Sequence, residues 1–209
     1  LLHPTVKAGF RNEPSGDPTE LNYIQHVTAE IKNVQLSNSE EIPVVIAGKS
    51  TKTEQRGIGS DPSAEGEQWY SYSVIDRSLV DEAVAVSESS SWSQRSAAER
   101  RAILEEVARY MSTQRAESIA VMARDAGKTV AEADPEVSEA IDFARFYAAS
   151  IDDEKSLPIG PVLVIPPWNF PYAIPAGGIF AALAAGNPVL FKPAPETVAT
   201  AWVLAQQLW

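Results

Sequence analysis

Residues 160–196, reading GPVLVIPPWNFPYAIPAGGIFAALAAGNPVLFKPAPE, constrain the fold more than any other part of this chain of 209 residues. The short unbroken apolar run at 161–165 is typical of a parallel strand covered on both faces. Pro166 and Pro167 end it. Pro171 stands where a helix can accept a residue lacking an amide hydrogen, and residues 172–185 are rich in Ala and Gly, which lets a helix lie close against a sheet. A second apolar run, 187–191, closes on Lys192. Strand, helix and strand in this order make a β-α-β unit of an open parallel sheet.

Ligands of such sheets bind beyond the carboxyl ends of the strands, which places Trp168, Asn169, Phe170 and Lys192 at one edge. Asn169 is the lone polar side chain in an apolar loop. A buried amide left unpaired costs roughly 1–3 kcal/mol, whereas one aimed at a developing oxyanion lowers a barrier by about 2.7–4 kcal/mol. Two uses are open for it: bridging the backbone of its own loop, or donating to a ligand. Lys192 is likewise either solvated or ligand-bound. The sequence predicts that both border one cleft.

Upstream, the chain reads as helices with a small strand pair. Residues 1–41 form a polar arm broken by Pro4, Pro14 and Pro18, with a helix over 19–34. Strands are expected at 42–47 and at 69–75, where Tyr70, Tyr72 and Val74 share a face. Gly57, Gly59, Pro62 and Gly66 mark the intervening 49–67 as an irregular connection. Ser78 with Asp81, and Ser96 with Glu99, fit helix-starting capping boxes. Trp92, in serine-rich 87–93, reads as a packing anchor.

A helix over 97–113 puts Ile103, Leu104, Val107 and Tyr110 at helical spacing, leaving Arg100, Arg101 and Glu105 to solvent. Another runs over 115–126 and stops at Gly127. Asp134 and Pro135 read as a cap and first-turn proline, followed by the stripe Val137, Ala140, Ile141, Ala144 and Tyr147. On the same helix Glu139, Phe143 and Phe146 set a carboxylate beside two rings, either filling an interface or walling a substrate. A final helix covers 196–208. The organisation is an arm at 1–41, a helical region with a strand pair at 42–158, and the first half of a cofactor domain at 159–209.

A net charge of −11 excludes the Lys and Arg surplus needed to hold nucleic acid or an anionic membrane. With no cysteine there is no disulfide, thiolate metal site or thiol nucleophile in these residues, and His3 and His26, read as lone surface histidines, predict no metal. No secretory signal is visible, so a cytoplasmic setting is expected. The apolar stretch 174–190 is broken by Pro175, Gly177, Gly178, Gly186, Asn187 and Pro188, which argues for helix and strand over an integral membrane segment.

Pro167-Trp168-Asn169-Phe170-Pro171, Ala181-Ala182-Leu183-Ala184-Ala185-Gly186-Asn187 and Lys192-Pro193-Ala194 together resemble the aldehyde dehydrogenase superfamily. Phe10-Arg11-Asn12-Glu13-Pro14 and Glu139-Ala140-Ile141-Asp142-Phe143 look like its pyrroline-5-carboxylate dehydrogenase branch, which oxidises glutamate γ-semialdehyde. The resemblance implies an α/β fold: the N-terminal part of an aldehyde dehydrogenase-like structure, with helices and a small strand pair leading into a Rossmann-like parallel sheet. It implies Asn169 as the oxyanion donor and Ile165, Pro166 and Trp168 along the nicotinamide of NAD, NADP remaining open. It puts Lys192 on the adenosine ribose with Ala194 and Glu196 beside it, and Glu139, Phe143 and Phe170 at the aldehyde.

Pro195 stands where the family often has a glutamate, displacing the acid to Glu196. The family's cysteine and general-base glutamate are expected beyond Trp209, so this stretch by itself is expected to be inactive. FAD is expected only if a proline dehydrogenase is fused to it, and the parent protein is expected to be a homo-oligomer. Two other readings stand beside this one: a non-catalytic nucleotide- or protein-binding module, and a reductase of acyl phosphates or thioesters.

Overall fold

The structure is a computed structural model describing residues 10–34, 41–64, 67–152 and 157–209. His3, Pro4 and Gly66 lie outside the described residues; His26 is exposed. In chain order the elements are α1 (Leu21–Asn33), β1 (Val44–Ile46), β2 (Lys49–Thr51), β3 (Arg56–Ser60), β4 (Gln68–Ser73), α2 (Arg77–Glu88), a short 3-10 turn (Ser91–Gln94), α3 (Ala97–Thr113), α4 (Arg115–Ala126), α5 (Val130–Ser150), β5 (Val162–Val164), α6 (Ala173–Ala184), β6 (Val189–Phe191) and α7 (Val198–Leu208).

The core is helical. α5 packs between α3 and α6, while α1 and α7 pack on α4. Leu104, Met111, Ile119, Met122, Val137, Ile141, Tyr172 and Phe180 are fully buried in it, and the small residues Ala140, Ala144, Ala173 and Ala176 bring α5 and α6 close together. At Gly177 the approach is tightest: a Cβ there would stand 3.1 Å from the Phe143 ring.

Local chemistry explains most helix ends. Ser96 and Glu99 form the expected reciprocal capping box, and Gly127 ends α4 with φ 66°. Two expected starts are corrected. α5 begins at Val130 because Thr129 and Glu132 make a capping box ahead of Asp134, leaving Pro135 inside the helix, where it removes one backbone hydrogen bond. α2 is capped by Asp76, which accepts from the Leu79 amide at 2.9 Å, while Ser78 donates to Asp76 and Asp81 pairs with Arg77.

The freed Asp134 is buried and ties down the arm, accepting from the Gly16 amide at 2.6 Å and pairing with Arg115 Nη1 at 2.6 Å. Further along the arm, Glu13 pairs with Arg145 and Arg115 and accepts from Ser112. Burial would raise the Glu13 carboxyl, but those partners outweigh it and hold it below the ordinary value.

The connection 49–67, expected to be irregular, contains β2 and β3. β1 and β2 form a hairpin over Ala47 and Gly48, both at positive φ (48° and 79°), and β3 pairs antiparallel with β4. Gly57 and Gly59 are strand residues opposite Tyr72 and Tyr70, whose rings occupy the space their missing side chains leave. Sequence reading takes glycine for a turn; here it makes room for an aromatic ring across the ladder.

Tyr70 also joins the strands to the helices. Its hydroxyl donates to Asp125 Oδ1 at 2.8 Å and accepts from the Val198 amide at 3.1 Å, while Asp125 Oδ2 accepts from the Thr200 amide and hydroxyl at 2.7 and 2.8 Å. Burial raises the Asp125 carboxyl to about 6, against these hydrogen bonds, which lower it. A folded-state value above the unfolded one means that this group's stabilising contribution is full below about pH 4 and lost as pH rises through about 6. Between those values the wild type should gain on Asp125→Asn by about 1.4 kcal/mol per pH unit of acidification, read from denaturant midpoints. A pH-independent difference would refute the raised carboxyl.

β5 and β6 are the expected parallel pair, in register Val162↔Val189, Leu163↔Leu190 and Val164↔Phe191. The expectation of cover on both faces is corrected: α6 packs on Val164, but Leu163 and Ile165 are 56% and 60% exposed. Among the described residues no helix is long and apolar enough to cross a membrane.

Candidate active-site edge

The carboxyl ends of β5 and β6 define the edge. The Lys192 amide donates to the Val164 carbonyl at 3.0 Å, extending the ladder by one step, so Lys192 stands beside the point where Ile165 leaves the sheet. Its side chain is exposed. The chain then turns through Pro166, Pro167, Trp168, Asn169, Phe170 and Pro171 into α6. Asn169 is exposed, and among the described residues its amide makes no hydrogen bond.

Trp168 and Phe170 are 53% and 43% exposed, so with Ile165 they give the edge an apolar surface flanking one amide and one ammonium. Pro166 and Ala194 are buried, so their side chains present little surface at the edge. Glu196 is exposed just before α7 and lies near Tyr72, whose hydroxyl is raised first by burial and then by that carboxylate.

The helix behind the edge is held at both ends. Glu136 Oε1 accepts from the Tyr172 and Ala173 amides at 2.8 and 3.0 Å, satisfying free donors at the start of α6. Correcting the expected first-turn proline, Pro171 precedes this cap and Pro175 occupies the first turn. At the far end Trp92 Nε1 donates to the Leu183 carbonyl at 3.0 Å and Arg100 Nε to the Ala184 carbonyl at 3.1 Å. Arg101 does the same for α5, reaching the Ala148 and Ile151 carbonyls. Both arginines, expected in solvent, therefore satisfy carbonyls at helix carboxyl ends, where their charge also opposes the helix dipole.

On α5, Glu136 touches the start of α6 and Phe143 packs on Gly177, with exposed Glu139 one turn beyond Glu136. Phe143 also stacks on Tyr147, and Phe146 meets Phe10 of the arm edge-on, so both rings fill interfaces between elements. Asp142 accepts from Asn12 Nδ2 and the Glu13 amide at 2.6 and 2.7 Å, which binds the arm to the helix bearing Glu139.

Sequence reasoning missed Lys128, Glu136 and Asn187. Glu136 had a signal: a carboxylate four residues before Ala140 on an otherwise apolar stripe. Lys128 had no spacing signal of its own, although Gly127-Lys128-Thr129 shares in the resemblance to the family; it reaches Glu136 only after the turn at Gly127. Asn187 Oδ1 accepts from the Ile159 and Gly160 amides at 2.6 and 3.1 Å, fixing the entry to β5.

Residues 50–209 match the aldehyde dehydrogenase family. The chain belongs to that family. It is 34% identical to the 1-pyrroline-5-carboxylate dehydrogenase of Staphylococcus saprophyticus over 217 aligned residues, covering 95% of this chain and 42% of that one. Over 117 residues, 54% of this chain and 9% of its relative, it is 48% identical to the bifunctional protein PutA of Escherichia coli K12. The crystal structure of 1-pyrroline-5-carboxylate dehydrogenase from Thermus with bound NAD superposes with a TM-score of 0.87 at 26% identity, covering 95% of this chain and 42% of that one. The chain thus spans less than half the length of these dehydrogenases, and its fold is the N-terminal part of theirs, as the sequence motifs implied.

Proposed function

We propose that this chain is part of an enzyme oxidising L-glutamate γ-semialdehyde to L-glutamate with NAD, the second step of proline breakdown. The observation that carries it is the free amide of Asn169 at the carboxyl ends of β5 and β6, on the edge Lys192 borders. Asn169 Nδ2 donates to the oxygen of the aldehyde as it takes up charge.

The edge fits a dinucleotide. Exposed Ile165 and Trp168 suit a flat ring, with buried Pro166 and Ala194 beside them in the chain, and the exposed Lys192 ammonium suits ribose hydroxyls, with exposed Glu196 four residues on as a second candidate for them. When bound, NAD supplies the acceptor for the aldehyde hydride. Glu139 offers a carboxylate to the substrate ammonium, with Phe170 walling the aliphatic part and Phe143 backing it through its contact with Gly177. With no cysteine in these 209 residues, the thiol nucleophile and the general base come from outside this sequence, and the stretch alone is inactive.

The exposed face of β5 favours burial against the rest of such an enzyme, in a cytoplasmic homo-oligomer. FAD enters only if a proline dehydrogenase shares the polypeptide. The missing cysteine favours one other reading, a binding module without catalysis. Joining this chain to the remaining part of a pyrroline-5-carboxylate dehydrogenase tests both. The expected result is aldehyde-dependent NADH formation with glutamate as product. No turnover, together with micromolar NAD binding by this chain alone in calorimetry, would favour the module.

A further inference from the structure

The loop carrying Asn169 leaves β5 at Val164 and enters α6 at Tyr172, and among the described residues no hydrogen bond holds residues 165–171 between those points. Its position rests on its prolines and on whatever grips its ends. Lys128 and Glu136 supply that grip. Lys128 Nζ lies 2.7 Å from Glu136 Oε2 and 4.5 Å from the centre of the Phe170 ring, the residue after Asn169. Glu136 Oε1 holds the Tyr172 and Ala173 amides. Thus one ion pair touches the loop directly at Phe170 and again at the start of α6.

The pair is deep, with side-chain exposures of 13% for Lys128 and 1% for Glu136. Burying two charges to cap one helix is a poor route to stability, because a buried ion pair seldom outperforms apolar residues of the same volume. A neutral side chain can also accept from helix-start amides, as the Ser96 hydroxyl accepts from the Glu99 amide of α3. What the ion pair adds is direction: a cation over the Phe170 ring face is attracted along the ring normal, which sets the orientation of the residue adjoining Asn169.

We propose that Lys128 and Glu136 are positioning residues that hold the Asn169 amide in line with the reacting oxygen, Lys128 through the Phe170 ring and Glu136 through the start of α6. This rests on Asn169 as the oxyanion donor. The test is a double-mutant cycle of Lys128→Met and Asn169→Ala in the complete enzyme, with thermal melts confirming that each variant is folded. Lys128→Met lowers kcat roughly ten- to a hundred-fold with little change in KM for the aldehyde, the loss expected of a donor displaced by about an ångström. In the Asn169→Ala background the same change costs less than about three-fold, because the group it positions is already gone. Lys128→Arg, which keeps the cation over the ring and the pairing with Glu136, restores most of the rate; Glu136→Gln provides the second arm and should show the same non-additivity. Losses that multiply across the cycle would overturn the positioning role. A wild-type rate for Asn169→Ala would instead overturn the oxyanion reading itself.

Discussion

Replacing Asn169 by alanine in the complete enzyme is expected to lower kcat by about 10²–10³-fold, the loss measured when one side-chain amide is removed from an oxyanion site, or about 2.7–4 kcal/mol. The fold should be unaffected, because the side chain is exposed and makes no hydrogen bond to the described residues. KM should change little, since the donor acts on charge that develops after the aldehyde binds. Asn169→Asp is expected to be at least as damaging: a carboxylate of nearly the same shape cannot donate in its ionised form and repels the oxyanion. Steady-state rates for both variants decide the point, and a loss under about three-fold for alanine would remove Asn169 from the chemistry.

The largest expected loss of stability lies away from that edge. In Gly59→Ala the new methyl would fall within the Tyr70 ring, and this ring is buried and held by hydrogen bonds to Asp125 and Val198. It cannot swing aside without breaking the hub that joins β4, α4 and α7. The cost is about 3 kcal/mol or more, combining overpacking with the loss of buried hydrogen bonds. For a chain of this size that lowers the melting temperature by roughly 6–12 °C. Gly57→Ala meets the Tyr72 ring in the same way, but the Tyr72 ring is only partly buried and its hydroxyl makes no hydrogen bond among the described residues, so the side chain can rotate outward at a cost below about 1 kcal/mol. Equal melting losses for the two variants would show that the Tyr70 hydrogen bonds do not fix its ring.

The residues determined by themselves whatever depends on near neighbours in the chain. The Ser96 capping box, the left-handed stop at Gly127, the stripe from Val137 to Ala144 and the β-α-β order of residues 160–196 each arise within a few residues, and each forms as the sequence dictates. The edge that carries Asn169 and Lys192 was legible for the same reason, since a parallel strand pair joined by one helix leaves both at its carboxyl ends. Where two local signals competed, the sequence could not rank them: Thr129 with Glu132 starts α5 although Asp134 and Pro135 offer a start of their own.

Tertiary structure alone decided what depends on partners far along the chain. Gly57 and Gly59 become strand because tyrosine rings from β4 need their space. Arg100 and Arg101 turn inward because the last carbonyls of α6 and α5 come within reach of their guanidinium groups. Lys128 and Glu136 meet under Phe170 although nothing in their spacing announces it. A buried charge is tolerated only where a distant group meets it, and which groups meet is fixed by how the helices pack.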